Sequence, residues 1–130
     1  MNLIFDTSVL IEIERANKSL INKLKEYVAR YPAPAKITFI NYFEYYHGIR
    51  DKNIKNKEKA KEFIGKFEIL KLNKKTAEIL SDLKKQHDYE GNSLPLADLM
   101  IASQVIENNC ILITMDKDFK RIKALNKIIL

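Results

Sequence analysis

The stretch Asn2–Ile11, NLIFDTSVLI, constrains the fold more than any other part of the chain. Its first apolar run, Leu3–Phe5, has the length and composition of a buried parallel strand. Asp6 follows at once, and Thr7 or Ser8 can cap a helix that begins with the second apolar run. Ligands of open α/β sheets bind at the carboxyl ends of the strands. Asp6 is therefore either a helix cap or half of a site.

Strand-like and helix-like segments alternate along the rest of the chain, which predicts an α/β fold with a parallel sheet covered on both faces. The predicted strands are Leu3–Phe5, Lys36–Phe39, Glu68–Leu72, Cys110–Thr114 and an edge strand at Lys127–Leu130. The predicted helices are Ser8–Arg15, Asn17–Tyr31, Asn41–Ile49, Lys57–Phe67, Lys74–Tyr89, Pro95–Glu107 and Lys117–Lys123. No repeat or linker interrupts the pattern, so residues 1–130 are expected to form a single domain.

Composition narrows the class of protein further. The 130 residues suit one domain with its own core, and no apolar run approaches the roughly 20 residues of a membrane span. The one cysteine, Cys110, cannot form an internal disulfide, so we expect a small core residue in a cytoplasmic protein. The net charge of +6 favours a polyanionic partner such as nucleic acid. Lysines on solvated helix faces, or a coding bias toward Lys and Asn, would give the same charge.

Asp98 is the carboxylate in the most apolar surroundings. It lies in Leu96–Ile106, LADLMIASQVI, a helix that is apolar on nearly every face. An unpaired carboxylate in such a helix costs several kcal/mol. It therefore needs a cation, hydrogen-bond donors or a raised pKa. The alternative is a hydrogen bond to a backbone N–H near the start of the helix.

Three further carboxylates share this ambiguity. Glu44 lies in the aromatic segment Phe39–Ile49, where it is either part of a site or an exposed residue on the outer face of a helix. Asp116 and Asp118 follow a predicted strand, as Asp6 does, and either of them can also cap the next helix. If these acids meet, their charges repel without a counter-ion, and their oxygens suit Mg²⁺ or Mn²⁺. Such a metal activates water for attack on a phosphodiester.

These residues, taken in order, resemble the PIN-domain family, and within it the VapC toxins of prokaryotic toxin–antitoxin pairs. The resemblance spans the chain. It is carried by a first strand that ends in Asp6-Thr7-Ser8, by Glu44 followed by Gly48, by Asp98 in DLMIAS, and by Thr114–Phe119, TMDKDF.

The resemblance implies a three-layer α/β/α sandwich around a central parallel sheet and a Mg²⁺- or Mn²⁺-dependent endoribonuclease. The catalytic residues of such an enzyme would be Asp6, Glu44, Asp98 and Asp116. Three of these, Asp6, Asp98 and Asp116, would bind the metal. The supporting residues would be Thr7, Ser8, Thr114 and Asp118. Glu44 would bind the metal through water or orient the attacking water. The family often has Asn at the position of Asp116, and its spacing around Asp118 varies. No histidine is required, and we expect His47 and His87 at the surface.

The resemblance also implies partners: an RNA substrate, a second copy in a homodimer, and a cognate VapB-like antitoxin. The antitoxin would lie across the early helices and extend into the acidic pocket, often with an Arg. The apolar face of Asn17–Tyr31, with Tyr27 and Tyr31, either serves that contact or is ordinary core. Two other functions stay open. One is a catalytically inactive PIN-like module that binds RNA or protein, and the other is a different metal phosphohydrolase, such as a DNA nuclease.

Overall fold

The computed structural model describes all residues, Met1–Leu130, as one five-stranded sheet flanked by helices. The strands are β1 Leu3–Phe5, β2 Lys36–Ile37, β3 Glu68–Ile69, β4 Ile111–Thr114 and β5 Lys127–Ile129. The helices are α1 Thr7–Glu14, α2 Lys18–Arg30, α3 Phe39–Ile49, α4 Ile54–Gly65, α5 Lys74–Tyr89 and α6 Leu96–Glu107, with a 3₁₀ helix at Lys117–Arg121. Every strand pair is parallel, in the order β3-β2-β1-β4-β5.

Strand β1 lies at the centre of the sheet, between β2 and β4, as its uninterrupted apolar sequence predicts. Leu3 and Phe5 point into one apolar cluster, whereas Ile4 points into a second cluster on the opposite face. All three side chains are buried. The carboxyl ends of β1 and β4 are adjacent, because Phe5 pairs with Ile113. Residues that follow these two strands are therefore brought together.

Helices cover both faces of the sheet, which confirms the predicted α/β/α sandwich. One core cluster receives buried side chains from α1, α2, α3 and α4, and the other receives them from α5, α6 and the 3₁₀ helix. Helix α3 contacts α1, α4 and α6, so it connects the two layers above the strand ends. Cys110 is buried, as expected of a small core residue.

The sequence misplaced the start of α3. Lys36–Phe39 was predicted as a strand, but only Lys36–Ile37 pairs with its neighbours. Thr38 is the N-cap of α3, and its hydroxyl accepts a hydrogen bond from the backbone N–H of Asn41. Asn41, predicted to be the cap, uses its side-chain Oδ1 to accept a hydrogen bond from the backbone N–H of Thr38. This capping box starts the helix two residues earlier than the apolar pattern indicated.

The prediction that His87 lies at the surface was wrong. The side chain lies on the same face of α5 as Leu83 and is only 3% exposed. Its Nδ1 forms a 3.1 Å hydrogen bond with the carbonyl of Asn92, after the turn at Gly91. His47 is exposed, as predicted. No helix of the fold combines the length and the apolar character that crossing a bilayer would require.

Candidate active site

Asp6 lies at the carboxyl end of β1 and is held by three side chains. Its Oδ2 accepts hydrogen bonds from Thr114 (2.6 Å) and Ser8 (3.2 Å), and its Oδ1 accepts one from Asn41 (3.0 Å). The residue is 5% exposed, and burial raises the pKa of its carboxyl although these bonds lower it. Asp6 occupies the N-cap position of α1 without making a side-chain cap bond. Its carboxylate is therefore bonded to side chains at the strand ends rather than to the end of the helix.

Glu44 is joined to Asp6 through two intervening side chains. The Thr7 hydroxyl donates a 2.8 Å hydrogen bond to Oε1 of Glu44. The amide of Asn41 donates to Oγ1 of Thr7 as well as to Asp6, at 3.1 Å and 3.0 Å. Glu44 is exposed, as expected of a residue on the outer face of a helix, but its bond to Thr7 places it beside the residues that hold Asp6. The start of α1 and the first turns of α3 thus position one acid each.

Asp98 lies in the first turn of α6 and forms no side-chain cap bond there. Burial, the largest cause, and the neighbouring carboxylates of Asp116, Asp6, Glu44 and Asp118 together raise the pKa of Asp98 from 3.8 to about 6. No hydrogen bond to the carboxylate offsets these effects. The alternative of a backbone-capping Asp is therefore not what the structure shows. The surroundings of Asp98 are instead dominated by negative charge.

Asp116 and Asp118 complete what we call the acidic cluster, defined as Asp6, Glu44, Asp98, Asp116 and Asp118. Asp116 is the N-cap of the 3₁₀ helix, and its Oδ1 accepts a 2.9 Å bond from the backbone N–H of Asp118. Thr114 accepts a bond from the N–H of Asp116 and donates to Asp6, so it links the ends of two strands. Asp116 therefore both caps a helix and faces the other acids.

The donor set fits a hard divalent cation. One carboxylate oxygen from each of Asp98, Asp116 and Asp118 lies within 4.8 Å of the other two. Oxygen ligands of this kind are those that Mg²⁺ and Mn²⁺ prefer. Asp6 borders the three, and both its oxygens already accept hydrogen bonds from the protein. Asp118, predicted as a supporting residue, thus offers an oxygen as directly as Asp98 and Asp116 do, whereas Asp6, a predicted ligand, lies outside this group of three.

Two positioning residues were missed in the sequence. Asn41 is fully buried and connects Asp6 with Thr7, yet in the sequence it only suggested a helix cap. Gln104 is also fully buried: its Oε1 accepts from the N–H of Phe39, and its Nε2 donates to the carbonyl of Leu70. These bonds fix the start of α3 against α6. The available signal was an amide in an otherwise apolar helix, because buried amides require partners.

The apolar face of helix α2 is partly core and partly open to solvent. Leu20 and Leu24 are buried in the core, so part of the apolar face is ordinary packing. Val28 is 43% exposed, while Tyr27 and Tyr31 are partly buried. A groove of about 460 Å³, lined by six apolar side chains and one lysine, remains open beside this helix.

A family model and a curated relative each match most of this chain. The model of the PIN domain matches residues 3–125. Ribonuclease VapC3 of Methanocaldococcus jannaschii is 34% identical over 103 residues, which is 79% of this chain and 97% of that protein. The range matched by the PIN-domain model includes β1, β4 and all five residues of the acidic cluster.

Solved structures share the fold over the whole chain. VapBC2 from Rickettsia felis, bound to a DNA fragment from its promoter, superposes with a TM-score of 0.85 at 24% identity, covering 100% of this chain and 99% of that one. VapBC-1 from nontypeable Haemophilus influenzae gives a TM-score of 0.78 at 23% identity, covering 99% and 98%. Because the family model matches residues 3–125, this chain belongs to the PIN-domain family.

Proposed function

We propose that this chain is a metal-dependent endoribonuclease and the toxin of a VapBC-type toxin–antitoxin pair, acting as a single domain in the cytoplasm. One observation carries the proposal: five carboxylates from separate parts of the chain meet where β1 and β4 end, and four of them act on Asp98. A protein gains nothing in stability from crowding like charges, so a bound cation is the natural reason for the arrangement. Similarity to Ribonuclease VapC3 supports RNA as the substrate.

Mg²⁺ or Mn²⁺ would be held by Asp98, Asp116 and Asp118, with Asp6 as the fourth proposed ligand. When bound, the ion stabilises negative charge on the phosphodiester and lowers the pKa of bound water. The side chains do the remaining work. Asp6 is held in one orientation by Thr114, Ser8 and Asn41, so its position costs no reordering when substrate arrives.

Glu44 is the proposed general base, or the residue that orients the attacking water. Its Oε1 is fixed by the Thr7 hydroxyl, and Thr7 is in turn fixed by the Asn41 amide. Glu44 is exposed, so water reaches it freely. A general base must lie within hydrogen-bond reach of the proton that it removes, and this chain of bonds holds Glu44 at the edge of the acidic cluster.

The antitoxin, in this proposal, occupies the groove beside α2. The groove is lined by Phe5, Ile13, Ile21, Leu24, Lys25, Val28 and Ala29. Structural similarity to VapBC complexes supports a VapB-like partner, and the lining of the groove would accept an apolar segment of it. We expect Val28→Glu to weaken copurification with the antitoxin while RNA cleavage by the free toxin persists. Retained copurification would exclude this groove.

A homodimer is the last part of the proposal. Phe39, Phe43 and Tyr46 of α3 are 48%, 56% and 40% exposed, and they form an aromatic stripe with Tyr42. A second copy of this chain is the occupant that we assign to the stripe, since exposed aromatic surface of this extent is typical of interfaces. We expect Phe43→Lys to convert a dimer to a monomer in sedimentation analysis. A monomeric wild type would refute it.

The decisive experiment compares single-stranded RNA and DNA of the same sequence with Mg²⁺, Mn²⁺ or EDTA. We expect cleavage of RNA only, dependent on metal, and lost in Asp98→Asn. Cleavage by that variant at the wild-type rate would refute the mechanism. RNA that is bound but never cut would favour the inactive binding module, and preferential cutting of DNA would favour a DNA nuclease.

A further inference from the structure

A polar trench leads away from the acidic cluster between α1, α3 and the start of α4. Its inner part is a cavity of about 170 Å³, which Glu44 borders. Its outer part, of about 360 Å³, has no hydrophobic side chain in its lining. The two parts adjoin, because Glu14, Arg15 and Lys52 line both. We define the polar trench by Arg15, Tyr45, Gly48, Lys52, Asn56 and Lys59.

Positive charge dominates this side of the molecule. Residues 50–66 contain seven basic and three acidic side chains, which contribute +4 of the net charge of +6. In the outer part of the polar trench, Arg15, Lys52 and Lys59 face a single acid, Glu14, whereas the inner part is bordered by Glu14 and Glu44. Lys52 pairs with Glu14 and Arg15 pairs with Glu12, each at 3.2 Å, at partly exposed positions. Such pairs are weak in water and exchange readily for a phosphate oxygen.

Tyr45 points to a ligand independently of this charge. The residue is only 4% exposed, and its buried hydroxyl lies close to the Glu14 carboxylate without forming a hydrogen bond of full geometry. Burial and the nearby Glu14 carboxylate raise the pKa of Tyr45, so its hydroxyl keeps its proton and remains a donor. A buried hydroxyl that is poorly paired destabilises the folded protein, and an oxygen of a bound molecule could accept its hydrogen bond in place of Glu14. Tyr45 lines the inner part of the polar trench.

Gly48 keeps the polar trench open. It is the penultimate residue of α3, where glycine is a poor helix former compared with alanine. Its φ is not in the left-handed region, so the backbone does not require glycine there. A Cβ built at this position would meet nothing within 4 Å. A side chain at residue 48 would therefore extend into open space beside the trench rather than into the core.

We propose that the polar trench binds the backbone of single-stranded RNA beside the bond that is cut. Arg15, Lys52 and Lys59 contact phosphates, and the Tyr45 hydroxyl donates to a phosphate or ribose oxygen near Glu44. The identity of the polymer rests on the proposed function. Phosphate contacts along the trench would position the RNA backbone so that it runs toward the acidic cluster.

Binding of a short fluorescent single-stranded RNA, measured by anisotropy in the Asp98→Asn background, tests the proposal. The double substitution Lys52→Gln and Lys59→Gln removes two trench charges. We expect about tenfold weaker binding at 0.1 M salt and a salt slope reduced by about 1.4. The matched control, Lys75→Gln with Lys85→Gln, removes two exposed charges from α5 on the opposite face and should change affinity less than twofold. Equal losses of RNA affinity in both variants, or no loss in either, would overturn the assignment of the trench as the RNA site.

Two substitutions test the trench without altering charge. Tyr45→Phe should lower RNA affinity by roughly threefold while the melting temperature stays near that of the parent, because the hydroxyl forms no hydrogen bond of full geometry with Glu14. Gly48→Met should weaken binding by filling the trench, whereas Gly48→Ala should not. Unchanged affinity in both Tyr45→Phe and Gly48→Met would contradict the assigned path.

Cleavage by the wild type, assayed in parallel, separates the two proposals. If RNA is never cut but the trench variants still bind it more weakly than the control, the nuclease proposal fails and the trench stands. If cleavage depends on metal but trench and control variants bind RNA equally, the trench fails alone. Trench variants that lose the antitoxin yet bind RNA normally would also overturn it, in favour of a protein occupant.

Discussion

The two sides of the acidic cluster are held in opposite ways. On the side of β1 and β4, Asp6 is nearly fully buried and accepts hydrogen bonds from Thr114, Ser8 and Asn41. On the side of α6, Asp98 is only partly buried, has no such bonds, and faces four other carboxylates. The fold supplies hydrogen-bond donors to both oxygens of Asp6, although burial still raises the pKa of this carboxyl. The second acid is left with an excess of negative charge that only an added cation or a proton can neutralise.

This difference assigns distinct roles to residues that sequence treated alike. Asp6 connects strand ends and helix starts, so it contributes to stability as well as to the site. Asp98 accepts no hydrogen bond that offsets its burial, so we expect an uncharged side chain of the same shape to keep the folded state at least as stable. Substitutions on the two sides should therefore agree in activity and differ in stability.

The largest expected effect is on catalysis. Asp98→Asn keeps the shape of the side chain but removes the charge at the centre of the acidic cluster, so we expect RNA cleavage to fall on the order of 10³-fold. Single-turnover rates on a defined RNA measure this. Asp82→Asn, on the exposed side of α5, is the control and should cleave normally. A loss of less than tenfold would remove Asp98 from the centre of the mechanism.

The next effect is stabilisation by metal. Mg²⁺ or Mn²⁺ at 100 times its Kd should add about 2.7 kcal/mol to the free energy of unfolding of the wild type. Asp98→Asn should lose most of this gain, because one converging oxygen becomes an amide. Thermal melting with and without the metal, at matched ionic strength, measures both. Equal stabilisation of the two proteins would place the ion elsewhere.

A third test compares Asp6→Asn with Asp98→Asn in the absence of metal. An amide at residue 6 cannot reproduce all the acceptor positions used by Thr114, Ser8 and Asn41, so we expect a loss of about 1–3 kcal/mol. Asp98→Asn relieves repulsion and should leave stability unchanged or raised by up to about 1 kcal/mol. Urea unfolding measures the difference. Similar values for both variants would show that the two sides are held alike.

The smallest effect is a pH dependence. The pKa of Asp98 is raised from 3.8 to about 6, so the folded protein binds a proton more tightly than the unfolded chain does. Its contribution to stability is fully present below pH 3.8 and is lost as the pH rises through about 6. We expect a loss on the order of 1 kcal/mol in metal-free protein, since water screens part of the repulsion. Asp98→Asn should lack this component, and an identical pH profile would contradict the assignment.

The fold followed the sequence closely where packing and local pattern agree. Helix α5 was predicted at its observed bounds, Lys74–Tyr89, because apolar residues recur along one face at helical spacing. The predictions failed at element ends. The start of α3 was missed because the hydrogen bonds between Thr38 and Asn41 decided it, and α4 starts at Ile54, where Asn53 provides the cap. Caps depend on single side chains that periodicity does not register.

The sequence by itself determined an α/β architecture and the set of acids worth considering, because apolar strands, amphipathic helices and carboxylates in apolar company are local features. Only the tertiary structure decided how those acids meet. It brought Asp118 beside Asp98 and Asp116, and it left Asp98 without the donors that Asp6 receives. The physical reason is that hydrogen-bond partners and electrostatic neighbours come from residues up to 108 positions apart, as with Asp6 and Thr114. Their distances are set by the pairing of β1 with β4 and by the packing of α3 and α6, which no local pattern encodes.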